Sequence, residues 1–349
     1  MENFIIKDEN ALYFEIGYSC DNALFLAFGN DGYFITDGRY EVEAKEHLKQ
    51  DKYSISLIIS RDLVESAREI LKKYEKSTLI YNPQEFSVYA FEKLTSDIQI
   101  EFLAKPNFHQ EKRIIKTQEE IALLDKSQRL NFKAFAKFAK FIEKCGKNCK
   151  ESYLHYKAKG FLSNKGEFDL SFNPIVGINA NAAKPHALPS SDMLKNGDLL
   201  LFDAGIKYKR YCSDSTRTGY FSKNGFSFDK IQKFKNKEIQ KIYDIVLKAQ
   251  EAAIKAAKPG MKACELDAVA RGVIEKAGYG KYFVHSTGHG IGLDIHELPI
   301  ISQKSQTILK EGMVFSIEPG IYIPDYYGVR IEDLVVLTEK GAKILGKAK

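Results

Sequence analysis

The sequence has no tryptophan, and only five cysteines and seven histidines in 349 residues. The odd cysteine count, at spacings that match no zinc pattern, argues against a disulfide framework; Cys145 and Cys149 form a C-x3-C pair with no second pair elsewhere. Free thiols in a reducing cytosol fit this usage. Long hydrophobic runs are also missing. No stretch approaches the roughly 18 apolar residues that a membrane span requires, and the opening MENFIIKDENALYFEIG meets charges before any run of signal-peptide length. A cytoplasmic protein without a membrane partner is expected. There is no basic block either: the net charge of +6 comes from lysines spread along the chain, without the Arg/Lys stripe and interleaved aromatics of a nucleic-acid binder.

What is present is globular. The chain is 44% apolar and 28% charged, enough to bury a core and too apolar for disorder, and its length predicts two domains. Residues 1–100 alternate strand-like and helix-like patterns. Ala23 to Phe28 and Tyr33 to Thr36 read as strands about a turn at Gly29-Asn30-Asp31-Gly32. Tyr40 to Leu48 and Leu63 to Tyr74 carry helical spacing, with short apolar runs at Ser54 to Ile59 and Ser77 to Tyr81. That alternation predicts a sheet covered by helices. A long helix starts at Thr117, an N-cap with Glu120 three residues on, and the domain boundary is placed just before it, near Arg113. Helices follow over about 117–144 and 150–163, then a strand-rich stretch from Phe172 to Tyr220, a surface loop starting at Ser222, and a helix from about Lys235 to Ala257 closed by Pro259-Gly260. A further helix from Cys264 to Ala277 ends at Gly278, and the remainder returns to strands.

Four segments carry chemistry. In LLLFDAGIKYKRYCSDSTRTGYF, residues 199–221, two apolar runs flank a polar centre and each contains an Asp. A hairpin turning between Tyr208 and Lys209 sets Asp203 directly opposite Asp214. Two carboxylates that close repel unless a cation lies between them or one stays protonated, and a metal is the more economical reading. In VHSTGHGIGLDIHELP, residues 284–299, His285, His289 and His296 stand among Gly288, Gly290 and Gly292, which argues against a helix and for a backbone that approaches a centre closely. No P-loop Lys-Ser/Thr follows those glycines. In GMVFSIEPGIY, an apolar strand runs into Glu318; in GVRIEDLVVL, period-two alternation on one strand puts Arg330 and Glu332 on one face and Val329, Ile331 and Asp333 on the other. Taken singly, either Glu reads as a strand-end surface residue; their order after the first two motifs gives them weight. His47, His109 and His155 stand alone and read as packing residues. Four carboxylates and one imidazole carry a charge that two divalent ions neutralise, and the oxygen-rich donor set favours Mn²⁺ while admitting Zn²⁺, Co²⁺ or Fe²⁺. Two such ions suit amide or ester hydrolysis.

These motifs resemble the pita-bread metallopeptidases, the family of methionine aminopeptidase, aminopeptidase P and prolidase. FDAG, SDSTRT, STGHGIG, IEPG and VRIED match its Asp, Asp, His, Glu, Glu order, and the resemblance spans residues 113–349. PHALPS (185–190), YFITDGRYEVEA (33–44) and RIIKTQEEI (113–121) are similar to the proline-specific branch. The resemblance implies an α+β fold in which a creatinase-type α/β domain over 1–112, with much of its first strand and helix missing, precedes a pita-bread catalytic domain over 113–349. It implies that Asp214 and Glu332 bridge two metals, that Asp203 chelates one, and that His289 and Glu318 bind the other, Glu318 also accepting a proton. His186 and His296 would steady the carbonyl and tetrahedral intermediate, His285 would line the substrate pocket, and Arg330 would orient ligands or contact substrate. Creatinase does not keep all five ligands, so its metal-free reaction is not expected. Arg210 stands where the family commonly has Gly. The expected activity is that of an Xaa-Pro aminopeptidase acting on peptides with proline second, with prolidase as the near alternative and a non-catalytic peptide-binding relative as the distant one. A homodimer is expected from such relatives.

Overall fold

The computed structural model describes residues 2–49 and 51–347. The chain divides into two compact units, Met1–Arg113 and Ile114–Lys349. The first contains β1 (Phe4–Ile6), α1 (Glu9–Ile16), β2 (Ala23–Phe28), β3 (Asp31–Thr36), α2 (Glu41–His47), β4 (Ser54–Ile59), α3 (Leu63–Lys73), β5 (Thr78–Tyr81), α4 (Val88–Thr95), β6 (Glu101–Ala104) and α5 (Phe108–Lys112). Its strands form one mixed sheet in the order β4-β3-β2-β1-β5-β6. The β2 run ALFLAF is apolar at every position because both sheet faces are covered. Ala23, Phe25 and Ala27 join Phe4, Ile6 and the α1 residues Leu12 and Ile16. Leu24, Leu26 and Phe28 pack instead with Ile5 and the α3 residues Ile70 and Leu71.

Two expectations are corrected here. The first strand and helix are present: β1 lies inside the sheet between β2 and β5, and Asp8 caps α1 by accepting from the Ala11 amide at 2.8 Å. Three apolar residues between Asn3 and Lys7 are too few to display a period, so pattern alone does not reveal this strand. The β2–β3 turn is also tighter than expected, because Asp31 and Gly32 already pair with Phe28 and Ala27.

The second unit opens with α6 (Gln118–Cys145). Its capping box is formed: Glu120 N donates to Thr117 Oγ1 at 3.2 Å and Thr117 N donates to Glu120 Oε2 at 2.8 Å. Next come α7 (Glu151–Ser163), β7 (Asp169–Leu170), β8 (Ile175–Ile178), β9 (Leu199–Ala204), β10 (Ile206–Tyr208), β11 (Tyr211–Cys212) and β12 (Ser215–Tyr220). The remaining elements are α8 (Lys237–Ala256), α9 (Ala263–Lys276), β13 (Gly288–Gly290), β14 (Glu297–Ile301), β15 (Val314–Ile317), β16 (Gly320–Ile323), β17 (Tyr327–Arg330), β18 (Asp333–Thr338) and β19 (Gly341–Ile344). The sheets run β12-β9-β8, β11-β10-β7 and β14-β13-β15-β18-β19, with β16-β17 as a separate hairpin.

Each helix pair covers its own sheet. Phe135 and Phe138 of α6 meet the Phe202 ring of β9 at 4.4 and 4.8 Å, so truncating the fully buried Phe202 would cost about 3–5 kcal/mol. Tyr243 and Val246 of α8 and Leu266 and Ala270 of α9 pack with Phe315, Val329 and Val335 in the other core. Along β9, Leu200 and Phe202 belong to the first core and Leu199 and Leu201 to the second. Asp203 continues the face of Leu199 and Leu201, and that alternation is what turns its carboxylate inward.

The single strand expected across 328–337 is two strands. The chain leaves β17 at Arg330 and enters β18 at Asp333 in a different sheet, while Glu332 N bonds to Thr216 O at 3.1 Å. Side-chain alternation continues through the break, so the period carries no sign of it.

Candidate metal centre

The hairpin that presents the two aspartates turns one residue later than expected. Tyr208 pairs with Tyr211 and Asp203 with Thr216, so the turn is Lys209-Arg210, both left-handed with φ of 48° and 72°. Two residues with positive φ make the tight turn that matches strand twist. Asp214 is therefore not directly opposite Asp203. It lies two residues before Thr216 and shares its face, so a two-place shift in register leaves both carboxylates converging.

His289 sits on β13, which runs between β14 and β15. A Cβ on Gly288 would lie 1.9 Å from Ser316 O, and one on Gly290 would lie 2.1 Å from Leu298 O. The glycines thus serve close backbone approach, and a short strand rather than an irregular loop carries the histidine. Glu318 follows β15 directly, and Glu332 occupies the β17–β18 junction.

These elements bring Asp214, His289 and Glu332 together with one ligand atom each, all within 4.8 Å of one another. His289 Nε2 lies 3.3 Å from Glu318 Oε1 and 3.6 Å from Asp214 Oδ2. Burial and repulsion from Glu332, Asp203 and Glu318 raise the Asp214 carboxyl well above its ordinary range. Burial, then Glu318 and Asp203, does the same to Glu332. Burial raises Glu318 too, against the pull of His285 and Arg330. Burial lowers His289, so its imidazole is neutral near pH 7.

The residues fit metal ions on two observations. Asp203 Oδ1, Asp214 Oδ1 and Glu332 Oε1 are buried carboxylate oxygens with no hydrogen-bond partner, which is costly unless cations meet them. The His289 Nδ1–H donates to Gly290 O at 3.0 Å, leaving the Nε2 lone pair aimed at carboxylate oxygens. Lone pairs facing one another are what a shared cation resolves.

Around this centre lie residues that the sequence reading did not single out. Thr216 Oγ1 donates to Glu332 Oε2 at 2.8 Å and accepts from Arg330 Nε at 3.0 Å. Tyr322, buried, accepts from Arg330 Nη1 at 2.8 Å and donates to His285 Nε2 at 2.8 Å, because His285 Nδ1–H is spent on Ser286 O. Arg330 also donates to Asp203 Oδ2 at 2.5 Å and Pro185 O at 3.3 Å. Its donors thus hold Asp203, Thr216 and Tyr322 in place. Asp333, beside Glu332, faces away and is held by Arg217, Lys230 and Gln250. Thr216 and Tyr322 both lie inside the quoted motifs, and inclusion there was the only sequence signal for them.

The centre opens into a cavity of about 470 Å³ that Asp203, Asp214, His285, His289, Glu318 and Arg330 help to line. His186 and His296 border it beside Phe172, Leu188, Ile295 and Ile300. The His289 and His296 rings meet edge-on at 4.4 Å. His296 is shifted down by partial burial, then by His289 and His186.

Comparison with known proteins agrees with this geometry. The model of metallopeptidase family M24 matches residues 122–339. The chain is 37% identical to an Xaa-Pro dipeptidase of Pyrococcus furiosus over 99% of this chain and 93% of that relative. Among solved structures, an Xaa-Pro dipeptidase from Bacillus anthracis superposes with a TM-score of 0.89 at 30% identity, covering 100% of this chain and 93% of that one. An X-Pro aminopeptidase from Thermotoga maritima does so with a TM-score of 0.84 at 28% identity, covering 100% and 96%. The pita-bread architecture, the converging carboxylates and imidazole, and the matched span make this chain a member of metallopeptidase family M24.

Proposed function

We propose that this protein is a metal-dependent Xaa-Pro peptidase, and the observation that carries the reading is the convergence of Asp214, His289 and Glu332, with orphaned carboxylate oxygens, beside a peptide-sized cavity that Asp214 and His289 line. Asp214 and Glu332 would be shared between two divalent ions, Asp203 would hold one, and His289 with Glu318 the other. Such ions supply a water acidified to near-neutral pKa; the oxygen-rich donors favour Mn²⁺. Glu318, its carboxyl raised by burial, is suited to accept a proton. His186 and His296 border the cavity where they can donate to a carbonyl oxygen that gains charge. The first unit is proposed to be the creatinase-type domain. Five free cysteines support a reducing, cytoplasmic setting, and among the described residues no helix is long and apolar enough to cross a membrane. A homodimer is proposed on resemblance alone.

The names of the Pyrococcus and Bacillus relatives favour a dipeptidase, ahead of the aminopeptidase that the sequence suggests. One observation supports the aminopeptidase as a second reading. Among the described residues lining the cavity, Arg330 is the only Lys or Arg, and it donates to Asp203, Thr216, Tyr322 and Pro185. Among the described residues, the cavity lining therefore presents no other guanidinium or ammonium to the C-terminal carboxylate of a dipeptide. The test is hydrolysis of Ala-Pro and Ala-Pro-Ala by metal-stripped protein with Mn²⁺ restored, beside Asp214→Ala. Cleavage of the dipeptide alone establishes the dipeptidase, and cleavage of the tripeptide the aminopeptidase. Absence of both with any divalent ion refutes the peptidase reading and favours a peptide-binding relative.

A further inference from the structure

The cavity wall that carries His186 is irregular chain. Between the end of β8 at Ile178 and Ser190, only a 3-10 turn over Asn179–Ala183 is regular. Pro185, His186, Ala187, Leu188 and Pro189 nevertheless line the cavity. A segment so poor in ladder hydrogen bonds holds one shape only if something else fixes it. Asn179 is tied to Asp198 and Leu199, and the tie that reaches both ends of the segment is a side chain outside the cavity. Glu151, the first residue of α7, is fully buried. Its Oε2 accepts from Ile178 N at 2.6 Å, and its Oε1 accepts from Asn181 Nδ2 and Ser190 N, each at 2.6 Å. One carboxylate thereby ties together both ends of the segment and its 3-10 turn. Asn181 passes the constraint on by donating to Leu188 O at 2.9 Å, and Pro185 O accepts from Arg330 at 3.3 Å.

We propose that Glu151 is a positioning residue for the peptidase site: by closing the 179–190 segment on itself it sets His186 against the cavity. This rests on the Xaa-Pro peptidase reading. No cationic side chain pairs with Glu151 among the printed contacts of the described residues; three N–H donors and the N-terminus of α7 stabilise the buried carboxylate. A group with only a packing role has no need of three short bonds that converge from both ends of one wall.

The experiment is a double-mutant cycle on the Mn²⁺-loaded full chain with Glu151→Gln, His186→Ala and the two combined. Gln keeps the shape but turns an amide toward the Ile178 N–H. Expected are a fall in kcat/KM of about 10- to 100-fold for Glu151→Gln, mostly in kcat, as small misplacements of a positioned group produce, and a change below about twofold when it is added to His186→Ala. Amide hydrogen exchange should speed up in peptides covering 178–190 and stay unchanged across β9 and α8. The same fold-loss in both backgrounds, or unaltered exchange in 178–190, overturns the proposal. If Glu151→Gln does not fold, Asn181→Ala removes one donor and is held to the same two readouts. Should the wild type cleave no Xaa-Pro peptide, the peptidase reading fails, while the exchange measurement still decides whether Glu151 holds this segment.

Discussion

Replacing Asp214 by Asn should raise stability without metal and shrink the stabilisation that metal adds. Without metal, Asp203, Asp214, Glu318 and Glu332 set four carboxylates against the single guanidinium of Arg330, and Asp214 and Glu332 are 5% and 1% exposed. Asn keeps the shape of Asp214 and removes one charge, relieving the repulsion that lifts its carboxyl. The gain expected from removing one poorly satisfied buried charge is about 1–3 kcal/mol. For a unit of this size each kcal/mol moves Tm by roughly 2–4 °C. With a divalent ion at about 100 times Kd, the wild type gains about 2.7 kcal/mol, and the variant, having lost a shared ligand, gains less. Thermal unfolding followed by circular dichroism, in chelator and in Mn²⁺, reads both arms. The sign in pH follows. Folded, metal-free Asp214 and Glu332 bind protons more tightly than in the unfolded chain. Their contribution is therefore fully present below the unfolded carboxylate range, about pH 4, and is lost as pH rises through their raised folded values. The wild type in chelator should lose stability relative to Asp214→Asn as pH climbs toward neutrality. A variant that melts below the wild type in chelator at neutral pH, or that gains equally from Mn²⁺, refutes the reasoning.

Three further outcomes test the framework. Lys116 and Glu297 form a 3.0 Å ion pair with both side chains 1% exposed; Lys116→Ala breaks this buried pair and should destabilise the protein in urea denaturation by up to about 3–5 kcal/mol, with a cost under about 1 kcal/mol contradicting it. Thr216→Val removes the hydroxyl that orients Glu332 and Arg330, and should weaken Mn²⁺ binding about 10- to 100-fold by calorimetric titration; unchanged affinity would mean that Glu332 is held by other groups. Lys209 carries a φ of 48°, so Lys209→Asn should raise stability by about 1 kcal/mol, and a lower Tm would show that the turn is not strained.

How far the site could be read from sequence differs by residue. Asp203 and Asp214 stand out as a carboxylate pair in one hairpin and His289 by its glycine run, whereas Glu318 and Glu332 read singly as strand-end residues and gain weight only from their order after those motifs. Glu151, Thr216 and Tyr322 do not: a Glu at a helix start, a Thr in a strand and a Tyr beside a turn are ordinary in those places, and only their distant partners reveal what they hold. Arg330 illustrates the same limit. Alternation turns it toward the centre, yet whether it meets substrate or Asp203 depends on a contact across 127 residues of chain.

The sequence by itself determined the long helices and the Thr117 cap, and the shared face of Arg330 and Glu332, because period and capping act within a few residues. Tertiary structure decided the rest. The turn at Lys209-Arg210 places Thr216, rather than Asp214, opposite Asp203; pairing partners divide the 328–337 run between two sheets; and β1 becomes an interior strand although its three residues carry no pattern. Each depends on which remote segment supplies hydrogen bonds and covers apolar surface, and no local run of side chains encodes that choice.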